Sequence, residues 1–176
     1  MSASDHDVRA RDQGASAETS FAPAERASRA ELTASLENLL GHPLLKAVLD
    51  TADLSLLILN RQRQILVGNA ELTNRLGRAG GAAVDDLVGR RHGELFGCVH
   101  AWECAGGCGT SRACSTCGAA LAILANQQGG QPVSRECLMT VERNGPLEAL
   151  ELSVKVSRLM VGGETYQVVA LRDVSA

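Results

Sequence analysis

The sequence predicts an α+β fold: a five-stranded antiparallel sheet with short helices on one face, preceded by an N-terminal amphipathic helix. Three observations carry this expectation. Two apolar runs flank the turn Asn60–Arg63, several short helical stretches follow, and three strand patterns joined by tight turns close the chain. At 176 residues there is room for one domain of about 100–150 residues plus a tail. The chain is 45% hydrophobic, enough for a core, with aromatics confined to Phe21, Phe96, Trp102 and Tyr166.

Residues 1–24 are rich in Ser, Ala, Asp and Arg, with little to bury, and read as a disordered tail. Residues 25–41 read as an amphipathic helix with Leu32, Leu36, Leu39 and Leu40 at helical spacing. That stripe packs either on its own domain or on a second copy in a homodimer. Gly41-His42-Pro43 interrupts it, and Pro43 suits the first turn of a second helix carrying Leu44, Leu45, Val48 and Leu49. Residues 42–176 then form the domain proper. Leu54–Leu59 and Gln64–Val67 are strands of a hairpin. Asn69 caps a helix running to about Leu76, closed by Gly77. Gly80-Gly81 opens a loop, and Val84–Gly89 makes a helical turn. After the cysteine segment, Ala119–Gln128 is helical up to Gly129-Gly130. Val133–Val141 alternates, Asn144-Gly145 signals a hairpin turn, and Leu150, Leu152, Val154 and Val156 alternate with polar residues. Gly162-Gly163 turns the chain into the last strand, Thr165–Leu171.

Residues 98–117, CVHAWECAGGCGTSRACSTC, hold five of the six cysteines, and Cys137 follows twenty residues later. Thiolates are soft, strong ligands for zinc, copper(I) and iron–sulfur clusters, and such sites are built from cysteines close in sequence. Thr110 or Ser111 is a suitable N-cap for a helix reaching Gln128. On that helix Cys114 and Cys117 share a face with Leu121 and Leu124 and sit at the positive end of the dipole, which favours thiolate. Spacing leaves three chemistries open: an iron–sulfur cluster, a structural zinc, or a metal-free thiol–disulfide switch at Cys114-Ser115-Thr116-Cys117. His100 could add an imidazole to Cys98, but loop histidines are usually solvated. His42 and His92 read as boundary residues without partners. Cys137 falls on the strand face of Val133, Met139 and Val141, where a small buried hydrophobe fits as well as a ligand.

The net charge of −3 gives no basic footprint for nucleic acid. No apolar run reaches the roughly 18 residues that a membrane span needs. The N-terminal MSASDHDVRARDQGAS lacks the apolar core of a secretory signal, so a cytoplasmic protein with free thiols is expected. An enzyme is not expected. Thioredoxin-like C-x-x-C motifs sit in βαβ units, and no parallel crossover is apparent.

The order of these elements resembles a PAS domain. Leu49–Asn60 is similar to the first helix and strand of PAS sensors, and Val67-Gly68-Asn69-Ala70-Glu71 resembles their second strand and its asparagine-started helix. Leu87-Val88-Gly89, followed by Leu95-Phe96, resembles the L-x-G step before the central helix. Val168–Ser175 resembles the last strand and its exit. Gly107–Ser111 with Cys114–Ala119 is similar to a cysteine-rich subgroup attached to bacterial histidine kinases and related signalling proteins. The resemblance implies a sensor domain that holds a cofactor between sheet and helices, with output through a histidine kinase or other effector, fused or separate. No phosphoacceptor histidine segment or ATP-binding glycine box is present in these residues. A sensory setting favours an iron–sulfur cluster, with zinc as the alternative. The expected ligands are Cys98, Cys108, Cys114 and Cys117. Cys104 lies in the loop Ala101–Gly107 outside the subgroup's motif, and it ranks with Cys137 and His100 behind those four.

Overall fold

Alternating apolar residues give each strand two faces; one face of the sheet is covered, and the other is covered over β2, β1 and β5 but exposed over β3 and most of β4. The computed structural model describes residues 19–78, 87–142 and 145–175. Its elements are α1 (Arg29–Leu40), α2 (Pro43–Thr51), β1 (Ser55–Leu59), β2 (Ile65–Gly68), α3 (Ala70–Arg78) and α4 (His92–Phe96). They continue with α5 (Gly118–Gly129), β3 (Val133–Glu142), β4 (Leu147–Val161) and β5 (Glu164–Asp173). The five strands form one antiparallel sheet in the order β2-β1-β5-β4-β3. Among the described residues no helix is long and apolar enough to cross a membrane. Gly80-Gly81, the start of the Val84–Gly89 turn and Asn144 lie outside the described residues, as does most of the expected tail.

The main core lies between the sheet and α3, α4 and α5. Leu57, Leu59, Val154, Val156 and Val169 from the strands meet Leu72, Phe96, Ala122 and Ile123 there. Ile58, one residue out of phase on β1, faces the other way into a second cluster with Leu39, Leu49, Leu56 and Tyr166. The N-terminal helices therefore cover the opposite sheet face over β1, β2, β5 and the end of β4. Ser28 and Glu31 form a reciprocal capping box that starts α1. Asn38 Nδ2 fastens α1 to the β4–β5 hairpin by donating to the Val161 carbonyl and the Tyr166 hydroxyl, at 2.9 and 3.0 Å. With Leu39 buried and Leu32 packed on this cluster, these two leucines of α1 are used within their own domain, while Leu40 stays exposed.

Asn69 acts as expected. Its Oδ1 accepts from Leu56 N–H at 2.9 Å and Leu72 N–H at 3.2 Å, which ties β1 to the start of α3. The helix continues past Gly77 to Arg78.

Two expectations fail. Residues 19–24 do not trail free: Ser20 and Ala22 N–H donate to the Thr110 and Gly109 carbonyls at 2.8 and 3.0 Å. The continuous helix from Thr110 to Gln128 is also absent. Arg112–Thr116 is a 3₁₀ turn, Cys117 is extended (φ −71°, ψ 117°), and α5 starts at Gly118. The buried face of α5 is Ala119, Ala122, Ile123 and Asn126, not Leu121 and Leu124. The break has a steric cause. A Cβ on Gly118 would run into the Glu136 carbonyl and stand 3.2 Å from Cys137 Cα. Only glycine lets the helix start touch β3.

Gly118→Ala should therefore lower stability by about 1–3 kcal/mol or more through overpacking against backbone. Gly129→Ala, where a Cβ meets nothing within 4 Å, should be neutral or stabilising by up to about 1 kcal/mol. Urea-unfolding midpoints of the two variants check this, and equal midpoints would refute the steric account.

Candidate functional site

The segment between α4 and α5 is too glycine-rich to build regular structure, so its backbone groups need other partners. Arg91 supplies many of them. Its fully buried guanidinium donates to the carbonyls of Gln62 (3.1 Å), Gly106 (3.0 Å), Cys108 (3.0 Å), Ala24 (3.2 Å) and Glu25 (2.8 Å). Glu94 completes the clamp by accepting from Arg91 N–H at 3.0 Å and Cys108 N–H at 3.1 Å, and by pairing with Arg26. Arg63, at positive φ (65°), donates to the Pro23 carbonyl at 2.6 Å, and its buried Nε has no hydrogen-bond partner. Arg26, Arg63 and Arg91 thus share the carboxylate of Glu94, and the charge beside Cys108 and Cys114 is positive.

Against this frame Cys98, Cys108, Cys114 and Cys117 all line one cavity of about 190 Å³, together with His92 and His100. Cys98 bridges to Val141 on β3 and begins a 3₁₀ turn, Val99–Trp102. Gly93 lets α4 approach, since a Cβ there would stand 2.7 Å from Cys108 Sγ and 3.4 Å from Cys98 Cβ. Cys108 Sγ lies 3.7 Å from His92 Nε2. Cys117 Sγ lies 3.6 Å from Cys137 Sγ. Cys114 Sγ turns the other way: it accepts from Gly109 N–H at 3.3 Å and lies 3.4 Å from Ser111 Oγ. The two cysteines of C-x-x-C therefore do not share a helix face, and only Cys117 stands at the N-terminus of α5. Cys104 is half-buried outside the cavity wall. His100 is engaged with Glu103 at 2.6 Å. Among the described residues no three Cys, His, Asp or Glu side chains stand in a group that could already hold a metal ion.

Composition and motif reading missed Arg91, Glu94 and His92. His92 is the clearest omission: a histidine six positions before Cys98 is a signal, but only the fold shows that α4 turns it inward. Burial opposes its charged form, yet the Cys108 and Cys117 thiolates outweigh burial and raise its pKa well above the usual histidine value. Burial likewise opposes ionisation of Cys108, and His92 overrides it, lowering the thiol. Cys117 is lowered chiefly by the hydrogen bond from the Cys137 thiol, with help from His92, and Cys137 is raised in return. Burial raises Cys98.

No protein-family model matches the sequence, and no curated protein matches it. Solved structures do match the fold. The PAS domain of nitrogen regulation protein NR(II) from Vibrio parahaemolyticus is 16% identical, covering 76% of this chain and 100% of its own, with a TM-score of 0.52. An RNA-binding Light-Oxygen-Voltage receptor is 15% identical, covering 77% of this chain and 34% of its own, with a TM-score of 0.51. The Rhodobacter sphaeroides LOV protein is 8% identical over 84% of this chain and 69% of its own, at a TM-score of 0.50. At such identities the likeness is one of fold.

Ionisation differences predict distinct alkylation profiles in reduced, metal-free protein. Cys117, already thiolate, should react with iodoacetamide at a rate nearly flat between about pH 6 and 8. Cys98, whose pKa is raised, should react slowly and speed up about tenfold per pH unit. Parallel profiles for the two residues would contradict the assignment.

Proposed function

We propose that this PAS-fold chain is a cytoplasmic signal-input module, not an enzyme, and that its stimulus acts on thiolates around the cavity between α4, the cysteine loop and β3. One observation carries the reading: Cys98, Cys108, Cys114 and Cys117, scattered over twenty residues of sequence, line one cavity of about 190 Å³. The occupant we assign is an iron–sulfur cluster held by those four. Zinc, the alternative, needs its donors about 2.0–2.3 Å from a single point. A cluster instead offers several irons, so its cysteines stand apart around a volume. The surplus of guanidinium charge from Arg26, Arg63 and Arg91 suits an anionic centre. When bound, the cluster supplies a redox-sensitive anchor. The chain's own part is to hold the thiolates: Arg91 and Glu94 fix the Cys108 backbone, and Gly109 N–H donates to Cys114 Sγ.

Protein purified without oxygen should be brown and contain iron and acid-labile sulfide. Cys98→Ser, Cys108→Ser, Cys114→Ser or Cys117→Ser should each abolish the colour, and Cys104→Ser should spare it. Colourless protein with stoichiometric zinc would overturn the cluster, as would loss of metal on Cys104→Ser alone.

Output is assigned to a histidine kinase or other effector, fused or separate, with the module acting as a homodimer. With Leu32 and Leu39 packed on their own domain, the available surface is Leu40 at the end of α1 together with Leu44 and Val48, one turn apart on α2, exposed at 59%, 78% and 53%. Light scattering at tens of micromolar, roughly the range in which weak association is populated, should report a dimer that Leu44→Asp with Val48→Asp converts to monomer. A monomeric unmodified chain would refute it.

A further inference from the structure

The Cys117–Cys137 contact has a use that a four-cysteine centre does not absorb. Sγ–Sγ is 3.6 Å, and the residues belong to different elements. The approach is built into the backbone: Gly118 brings the start of α5 so near β3 that its Cβ position is 3.2 Å from Cys137 Cα. A disulfide requires the sulfurs to close by about 1.5 Å, within reach of side-chain rotation when the backbones already touch. The neighbour in sequence, Cys114, is directed at Gly109 and Ser111 instead.

We propose that Cys117 and Cys137 form a peroxide-responsive thiol pair that closes to a disulfide across the α5–β3 contact whenever no metal centre holds Cys117. The proposal rests on the reading above only in placing the sensed chemistry at this cavity. Cys117 is half-buried on the cavity wall, whereas Cys137 is 2% exposed, so the oxidant meets Cys117 first. The Cys117 thiolate attacks one oxygen of hydrogen peroxide. The O–O bond breaks, Cys117 becomes sulfenic acid, and hydroxide leaves. Cys137 sulfur then attacks Cys117 sulfur. The S–S bond forms as the S–O bond breaks, and that oxygen departs as water with the Cys137 proton. Two electrons pass from the sulfur pair to one peroxide. The product staples the N-terminus of α5 to β3 and withdraws Cys117 from the ligand set. Oxidation and metal loading thereby exclude one another.

The test uses the full chain, reduced and stripped, with metal content measured before stripping so that the cluster reading is judged separately. After brief hydrogen peroxide treatment and alkylation, non-reducing peptide mass mapping should show Cys117 joined to Cys137, at least tenfold over any Cys114–Cys117 product. Dithiothreitol should reverse it. In Cys137→Ala, dimedone should instead trap sulfenic acid at Cys117, with Cys137→Ser as a second variant whose folding is checked by circular dichroism. Should both variants unfold, the map of the unmodified chain decides alone. A dominant Cys114–Cys117 link, or Cys117 and Cys137 both still alkylated after peroxide, would overturn the proposal. So would Cys117 sulfenic acid that persists unlinked in the unmodified chain.

Discussion

The guanidinium of Arg91 is the constraint on which the cysteine segment depends. Residues 103–111 have neither helix nor strand to satisfy their carbonyls, and a buried carbonyl without a donor costs roughly 1–3 kcal/mol. A planar group with five N–H donors can serve several at once, and Arg91 reaches five carbonyls on three separate stretches of chain. Burial and the neighbouring Arg63 and Arg26 push its pKa down to about 10, still leaving it charged at neutral pH. Lysine would bring the charge without the fork. Glu94 makes that charge tolerable and reuses it, joining Cys108 N–H to the same network. The stretch around Pro23–Arg26 is ordered for this reason too, since the clamp needs the Ala24 and Glu25 carbonyls.

The sheet sets where the clamp's product ends up. β3 is an edge strand, so its inner face and its free margin meet both the 3₁₀ turn at Cys98 and the start of α5. At its other end α5 is held to β5, where the buried Gln167 donates to the Ile123 carbonyl and Asn126 Oδ1, both at 2.9 Å. A change at Cys117 therefore acts on one end of a helix whose far end is fixed to the sheet. In the proposed sensor that asymmetry turns a local sulfur event into a tilt, not a general loosening.

What the sequence made legible follows from the range of the forces involved. Strand alternation, the Asn69 cap and the Pro43 helix start are local, and each was read correctly from a few residues. The role of the α1 leucines was open because a helix stripe does not say which surface it meets. Here that surface is a sheet face built from Leu56, Ile58 and Leu66 nearby and from Val161 and Tyr166 more than a hundred residues away in sequence. The helix drawn through Cys114 and Cys117 failed for a tertiary reason. Propensity allows it, but the backbone of β3 forces the chain to be extended at Cys117 so that Gly118 can make contact. Arg91 and His92 were invisible as site residues because an arginine and a histidine at the start of a five-residue helix look solvated until the cysteine loop folds over them. Counting cysteines found the candidate site's sulfur but not the groups that charge it.

Those charged groups also bear on which chemistry the cavity favours. His92 stabilises thiolate at Cys108 and Cys117. An environment tuned only for packing would hold thiols neutral, as burial does at Cys98. Ionised sulfur is needed both for ligating a metal and for attacking an oxidant. The two proposed states therefore draw on one electrostatic preparation and compete for one residue. Cys117 is the point of competition because it faces the cavity and Cys137 together, whereas Cys114 faces only the cavity and its own loop. A pair placed within C-x-x-C would oxidise without moving anything beyond a single turn. A pair spanning α5 and β3 couples the oxidation state of the site to the contact between helix and sheet, which is where a PAS fold can register it.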